Sequence, residues 1–341
     1  MQPNTNSFSD FKVERCRQTD IDNLLSFFKK MRSTYISFLP TERNDVLNKY
    51  RGHKDNSENL NLFVLKDRNG QIVGCSGYVP FKGTLGGQRI VGFIGSDAII
   101  EPQMRAKFPL LSMLIVQHYE KLVRQERPFP LILICPANQE ISKAFRKVQW
   151  GEFTYIYKFV SESITNILPD IKQSSIEFVR IKEFDKAMAS FFERISSQHL
   201  FLLNSDVDFL NWKYFSNPYG KYVVLAAIKN NNIIGYVVAE KRLSDIFILD
   251  ITIDLNYPKV ILLLLFEVFK YFDIVDLTVV DCCLSHKKYI EIFKKAGFFS
   301  NWKIECLFFK VGLIFSQVKQ NDFYSFDNTL YHLNGYAQHL Y

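Results

Sequence analysis

Cysteine is scarce in this sequence of 341 residues: six, at Cys16, Cys75, Cys135, Cys282, Cys283 and Cys306. No CxxC pairs with a second CxxC or with spaced histidines, which excludes the common zinc arrangements and predicts no metal. Several of these cysteines sit inside apolar, strand-like runs, where a reduced buried thiol is expected. Long hydrophobic runs are equally scarce. Val260 to Phe269 is very apolar but too short to span a bilayer, and Met1 to Asp10 lacks the apolar core of a signal peptide. A soluble, cytoplasmic protein with no membrane association is expected. Lysine and arginine exceed the acids, 42 to 35, giving a formal charge of +7. The cations are scattered and not interleaved with exposed aromatics, which argues against a nucleic-acid groove. The excess suits ordinary surface charge, or attraction of a ligand carrying several phosphates. Signs of disorder are lacking too: 48% hydrophobic and 15% aromatic residues supply two cores, the number the length suggests.

What is present is one pattern written twice. Asn138, Phe145 and Trp150 follow an apolar run from Leu131 to Cys135. His286, Phe293 and Phe298 follow another from Val275 to Cys283, at the same spacing. Earlier in each half lies a second matching unit: Phe63 to Gly74, turning at Gly70, and Val223 to Gly235, turning at Asn230 to Asn232. Each reads as a strand, a turn and a returning strand. An internal repeat of this size predicts two related domains.

Along the chain the spacing predicts a strand from Val13, a helix from Asp22 to Met31, and strands at Leu60–Asp67, Gln71–Pro80 and Arg89–Ile100. Pro102 to Lys107 reads as a loop, Pro109 to Arg124 as a helix, Phe129–Cys135 as a buried strand and Gln139–Val148 as a helix. Gly151–Val160 reads as the last strand of the first copy. Residues 11–162 form the first predicted domain. A polar stretch with Pro169 separates it from a second at 175–315, closed by a strand from Glu305 to Val311. The tail, 316–341, is polar with interspersed aromatics.

The loop after the long strand carries Arg105 and Lys107 and runs into Pro109 at a helix start. Free N–H groups there, with two cations, suit a diphosphate; the alternative is a plain connection with two solvated cations. This order of elements resembles the GNAT superfamily of acyl-CoA-dependent N-acyltransferases, over Val13 to about Val160 and again over about Ile176 to Val311. The resemblance implies an α/β fold of two tandem GNAT-like domains, each a mixed, mostly antiparallel central sheet flanked by helices. It implies acyl-CoA as cosubstrate, with Ile99, Met104, Arg105, Ala106, Lys107, Phe108, Leu110, Asn138 and Ser142 around the coenzyme. The loop departs from the family pattern at Ala106 and Phe108, where glycines are usual. Phe145 replaces the family's frequent tyrosine, the acid for the departing thiolate, and Tyr155 or Tyr157 on the last strand substitutes for it.

In the second copy Asn256 to Val260 replaces the loop with one cation and no glycine, so the resemblance implies a domain without a coenzyme site that forms the acceptor wall. Its segment Asp206 to Tyr219 is dense in aromatic, amide and acid groups. Trp212, Lys213, Tyr214, Asn217 and Tyr219 suit a base and a sugar; the alternative is a capped helix with an aromatic core cluster. The stretch resembles GNAT-like proteins of bacterial surface-polysaccharide pathways, which implies N-acylation of a nucleotide-linked amino sugar of the dTDP-3-amino-3,6-dideoxyhexose type. An amine among sugar hydroxyls has a pKa at or below about 8, so a modest base suffices. Asp97, on the long strand, is the candidate base or amine-positioning group; the alternative is an inward polar residue bonded nearby. A backbone N–H near Ile99 or Ile100 would polarise the thioester carbonyl. Cys135 reads as a core thiol, and His53 and His199 as packing or surface histidines. Two other readings stand beside this one: a Fem-type aminoacyl or peptidyl transferase, and a non-catalytic GNAT-like binding protein.

Overall fold

The computed structural model describes residues 10–32, 39–51, 58–85, 88–107, 131–137, 151–161, 175–199, 201–203, 206–216, 221–242, 245–273, 280–284 and 287–311. The first half runs β1 (Lys12–Arg17), α1 (Ile21–Arg32), α2 (Arg43–Tyr50), β2 (Asn59–Lys66), β3 (Ile72–Leu85), β4 (Gln88–Ile100), α3 (Pro102–Lys107), β5 (Leu131–Ala137) and β6 (Gly151–Ser161). The second runs β7 (Glu177–Arg180), α4 (Lys186–Ile195), β8 (Phe201–Leu203), α5 (Val207–Tyr214), β9 (Val223–Lys229) and β10 (Asn232–Arg242). It continues through β11 (Asp245–Ile253), α6 (Val260–Tyr271), β12 (Val280–Leu284), α7 (Lys287–Lys295) and β13 (Phe299–Val311).

Local chemistry explains most of these elements. α1 buries Ile21, Leu24, Phe27, Phe28 and Met31, a stripe at helical spacing, and α4 buries Met188, Phe191, Phe192 and Ile195 in the same way. Asp185 caps α4 by accepting the N–H groups of Ala187 and Met188, and Asp206 caps α5 by accepting that of Phe209. The β9–β10 turn places Asn230 and Asn231 at φ 49° and 62°, the left-handed pair that a two-residue hairpin needs and that asparagine tolerates. The stretch from Pro102 to Lys107 corrects the sequence reading: it is the helix α3, not a loop. Proline suits a first helical position, the Glu101 carbonyl accepts the Arg105 N–H at 2.8 Å, and Gln, Met, Arg, Ala and Lys all favour helix.

Each half is a mixed, mostly antiparallel sheet flanked by helices, and the two join edge to edge in the order β1-β2-β3-β4-β5-β13-β6-β12-β11-β10-β9-β7. The last strand of each half has crossed into the other. β13 pairs with β5, and β6 with β12, while β6 and β13 lie antiparallel at the centre. The expectation that β6 and β13 each close their own sheet is therefore corrected: the exchange is reciprocal, as in a two-fold dimer fused into one chain. A second tie is β8, which pairs with the β3 segment Gly83–Leu85 of the first half. Ion pairs Lys82–Asp206 at 2.6 Å and Arg89–Glu193 at 3.3 Å lie beside it.

Two cores follow the two halves. The first packs Leu24, Phe28, Val46, Tyr50, Val64, Cys75 and Ile99. The second packs Phe184, Phe192, Tyr214, Tyr236, Leu264, Tyr289 and Phe293. Among the described residues no helix is long and apolar enough to cross a membrane.

Candidate functional site

The parallel pair β4–β5 does not run to its end. Pairing covers Val91–Ile94 against Leu131–Ile134, after which β4 continues to Ile100 and β5 to Ala137. Two parallel strands that stop pairing while both continue leave a slot between them. Along its wall β4 carries an extra residue opposite β3, between the pairs Gly77–Ser96 and Cys75–Ile99, so Asp97 lies in a bulge. The Glu101 N–H donates to the Val73 carbonyl on the β3 side, at 3.0 Å. Strand alternation then turns the Ile100 N–H the other way, into the slot. An inward amide, a bulge and a gap between parallel strands can receive an extended chain and polarise a carbonyl at its tip.

The second half has the same geometry, closed. β11 pairs with β12 only over Ile246–Ile248 against Val280–Cys282, and carries its own bulge at Leu249. The Asp254 N–H donates to the Ile234 carbonyl at 2.8 Å, which turns the Ile253 N–H into the slot. There it meets the hydroxyl of Tyr289, at 3.0 Å, from the fully buried face of α7. The Ile253 carbonyl lies 3.4 Å from the same hydroxyl and 3.4 Å from His199 Nε2. The loop beyond is occupied from within as well. Leu255 N–H donates to Gln198 Oε1 at 2.7 Å, Asn256 N–H to Asp254 Oδ1 at 3.0 Å, and Tyr257 N–H to the Asp254 carbonyl at 2.9 Å. Groups that would greet a ligand are thus bonded to the protein itself.

Several solved structures similar to this chain are GCN5-related N-acetyltransferases. The chain matches a GCN5-related N-acetyltransferase from Anabaena variabilis at 11% identity and a TM-score of 0.60, over 88% of this chain and 72% of that one. It matches a tandem GNAT protein from the clavulanic acid biosynthesis pathway at 9% identity and a TM-score of 0.57, over 88% and 98%. The chain carries the GNAT fold, twice. A third GNAT-like match is the N-myristoyltransferase of Saccharomyces cerevisiae with bound myristoyl-CoA, at 10% identity and a TM-score of 0.57, over 89% of this chain and 83% of that one. No protein-family model matches the sequence, and no curated protein sequence matches it.

Against the GNAT frame, the first-half residues singled out above fall as follows. Asp97 and Ile99 lie on β4 along the slot, Ile99 buried in the first core; the side chain of Asp97 lies outside the described residues. Met104 is half-buried on α3, and Arg105, Ala106 and Lys107 are exposed there. Phe108, Leu110, Asn138 and Ser142 lie outside the described residues, as do Asn217 and Tyr219 of the second half and His53. Tyr155 is on β6, paired with Cys306, and β13 stands between it and β5.

In the second GNAT half, Trp212 is half-buried against Phe209, at 5.4 Å between ring centres. Lys213 and Tyr214 are buried, and the Tyr214 hydroxyl donates to Asp250 at 3.2 Å. Burial holds the Lys213 ammonium down to about 8 against the pull of Asp250, and pushes the Asp250 carboxyl up. Sequence reasoning missed Tyr289, Gln198 and Asp254 as occupants of the second slot. The signal for Tyr289 was in the repeat: it stands three residues past His286 where Ile141 stands three past Asn138.

His199 gives this slot a pH dependence. Burial lowers its pKa to about 4 from an ordinary 6.5, although the Ile253 carbonyl and Asp254 pull the other way. The unfolded chain therefore takes up a proton between pH 6.5 and 4 that the folded chain refuses. The contribution of about 3 kcal/mol is complete above pH 6.5 and lost as pH falls toward 4. Urea midpoints taken from pH 7.5 to 4.5 should drop less steeply in His199→Gln than in the parent chain. Parallel curves would remove His199 from the account.

Proposed function

We propose that this chain is an acyl-CoA-dependent N-acyltransferase whose first half holds the coenzyme and whose second half serves as acceptor wall and scaffold. The observation that carries this reading is the contrast between the two slots. One has an inward amide at Ile100, and the repeat puts Ile141, which has no hydroxyl, at the sequence position of Tyr289. The other is filled by Tyr289. Arg105 and Lys107, on the helix that leaves β4, supply cations for the coenzyme's phosphates.

Chemically, the amine of the acceptor attacks the thioester carbonyl while the Ile100 amide holds the developing oxyanion. Asp97 orients the amine and accepts its proton. The C–N bond forms, the C–S bond breaks, and the thiolate leaves and is protonated. Tyr155 is the proposed proton donor; two strand spacings, roughly 10 Å, separate it from β5, so the proton travels through water. No side-chain nucleophile is required.

For the acceptor we propose a nucleotide-linked amino deoxysugar of the dTDP-3-amino-3,6-dideoxyhexose type. A cleft of about 480 Å³ between the halves, lined by Phe192 and Val207 and by the ion pairs Lys82–Asp206 and Arg89–Glu193, has room and mixed chemistry for such a molecule. Arg89 and Asp97 are eight residues apart on β4, roughly 26 Å of strand. An acceptor engaging both must be extended, as a sugar joined to a base through a diphosphate is and a free amino sugar is not.

Calorimetric titration with coenzyme A and acetyl-CoA tests the reading. Binding at one site per chain is expected, weakened about tenfold or more by Arg105→Glu, which removes roughly one charge-assisted contact of about 1.4 kcal/mol. Two sites per chain would contradict the closed second slot. No binding at millimolar ligand would favour a non-catalytic GNAT-like protein.

A further inference from the structure

A buried hydroxyl costs stability unless it finds a hydrogen-bond partner. Among the described residues, two buried side-chain polar atoms have no partner in the protein: Arg32 Nε and Thr84 Oγ1. Arg32 is held by its other end, since its Nη2 donates to the Pro40 carbonyl. Thr84 has no such account. It is 7% exposed, sits near the end of β3 and lines the cleft between the halves. An orphaned polar group in a native structure calls for an explanation, and here a cavity lies against it.

Strand register fixes its neighbours. Thr84 pairs with Arg89 of β4, and Lys82 stands two residues back along β3, so the three side chains leave the same face of the sheet. That face looks onto α4 and the start of α5. Arg89 reaches Glu193 and Lys82 reaches Asp206, the cap of α5. Neither cation is exhausted. Lys82 bonds Asp206 at 2.6 Å, and Arg89 bonds Glu193 through Nη2 alone, at 3.3 Å. An ammonium has three donors and a guanidinium five. The hairpin face therefore offers a donor, a hydroxyl and a donor. With Asp208, three carboxylates line the cleft against two cations, an excess that repels a phosphate and favours an uncharged group. Phe192 and Val207 add an apolar wall for a flat ring.

We propose that this cleft is a base-binding site in which Thr84 recognises the imide edge of thymine or uracil. That edge runs acceptor, donor, acceptor. The Thr84 hydroxyl accepts the central N–H, and Lys82 and Arg89 each donate to one flanking carbonyl. Cytosine instead sets an amino donor against one of the cations. The inference rests on the acyltransferase reading of the β4 slot and deepens it. The coenzyme leaves the slot past Ile100 toward α3, so the acceptor leaves it the other way, along β4 toward Arg89. What arrives beside Thr84 is the part farthest from the reacting amine. In a nucleotide-linked sugar that part is the base, and the diphosphate stays short of the acid-rich cleft. Binding supplies the partner that Thr84 lacks in the empty protein.

Calorimetric titration of the full-length protein with dTDP, UDP and CDP tests this, with thermal melts taken in the absence of nucleotide. dTDP and UDP should bind at one site per chain, and CDP at least about tenfold more weakly. Thr84→Val keeps the shape of the side chain and suits a strand. It should weaken dTDP binding about tenfold or more, yet melt no lower than the parent chain. Arg89→Met, at an exposed side chain, should weaken dTDP as well. Equal affinities for dTDP and CDP overturn the proposal, as does an unaltered dTDP affinity in Thr84→Val. A Thr84→Val chain that melts well below the parent, or fails to fold, also overturns it, because the hydroxyl then has a structural partner. Coenzyme A binding is measured separately. A chain that binds coenzyme A but ignores millimolar dTDP loses the base site and keeps the acyltransferase reading. A chain that binds dTDP through Thr84 but no coenzyme A keeps the site and loses that reading.

Discussion

Expressed apart, the two halves of this chain will fail to fold as monomers; expressed together, they will assemble one to one. The expectation follows from the exchanged strands. A first half that ends after β6 has no β13 to lie against β5 and no β12 to lie against β6. The apolar strand β5 would then present an unpaired edge, a template for aggregation. The second half suffers a similar loss, because β13 pairs only with first-half strands and β12 loses β6 from one edge. Cutting within residues 162–174 and co-expressing the pieces should give a complex whose melting resembles that of the intact chain. A soluble, cooperatively folded monomer of either piece would mean that β6 or β13 returns to its own half.

The second large effect concerns the core of the second half. Asp250→Asn should cost about 3–5 kcal/mol, because it strands the Lys213 ammonium in a buried site. Tyr214 and Tyr236, which hydrogen-bond the carboxylate, would also lose their acceptor. Replacing both charges by apolar groups, as in Lys213→Met/Asp250→Leu, should recover most of that loss. Urea denaturation of the three variants measures it. An Asp250→Asn protein as stable as the parent would show that Lys213 reaches solvent or another anion.

Much of the local structure was legible. The hairpins were marked by Gly70 and the asparagines at 230–231, α5 by its cap Asp206, and the repeat by matching spacings around Phe145 and Phe293. These signals come from neighbours in sequence, where φ preference, capping and the period of apolar residues act directly. Pro102 to Lys107 misled for a related reason: the family's loop pattern was expected there, yet these residues favour helix.

The segment around Lys213 shows the harder limit. Its composition fits a ligand site as well as a core, since both use aromatics with a few polar groups. The choice depends on whether Asp250, 37 residues on, faces it across the sheet.

By itself, then, the sequence determined a duplicated α/β unit and the type of most described elements. The tertiary structure alone decided that β6 and β13 change places and that the second slot is closed by Tyr289. Strand pairing is a contest between edges far apart in the chain. Two end strands from related halves offer the same backbone hydrogen bonds, and only three-dimensional packing selects between them.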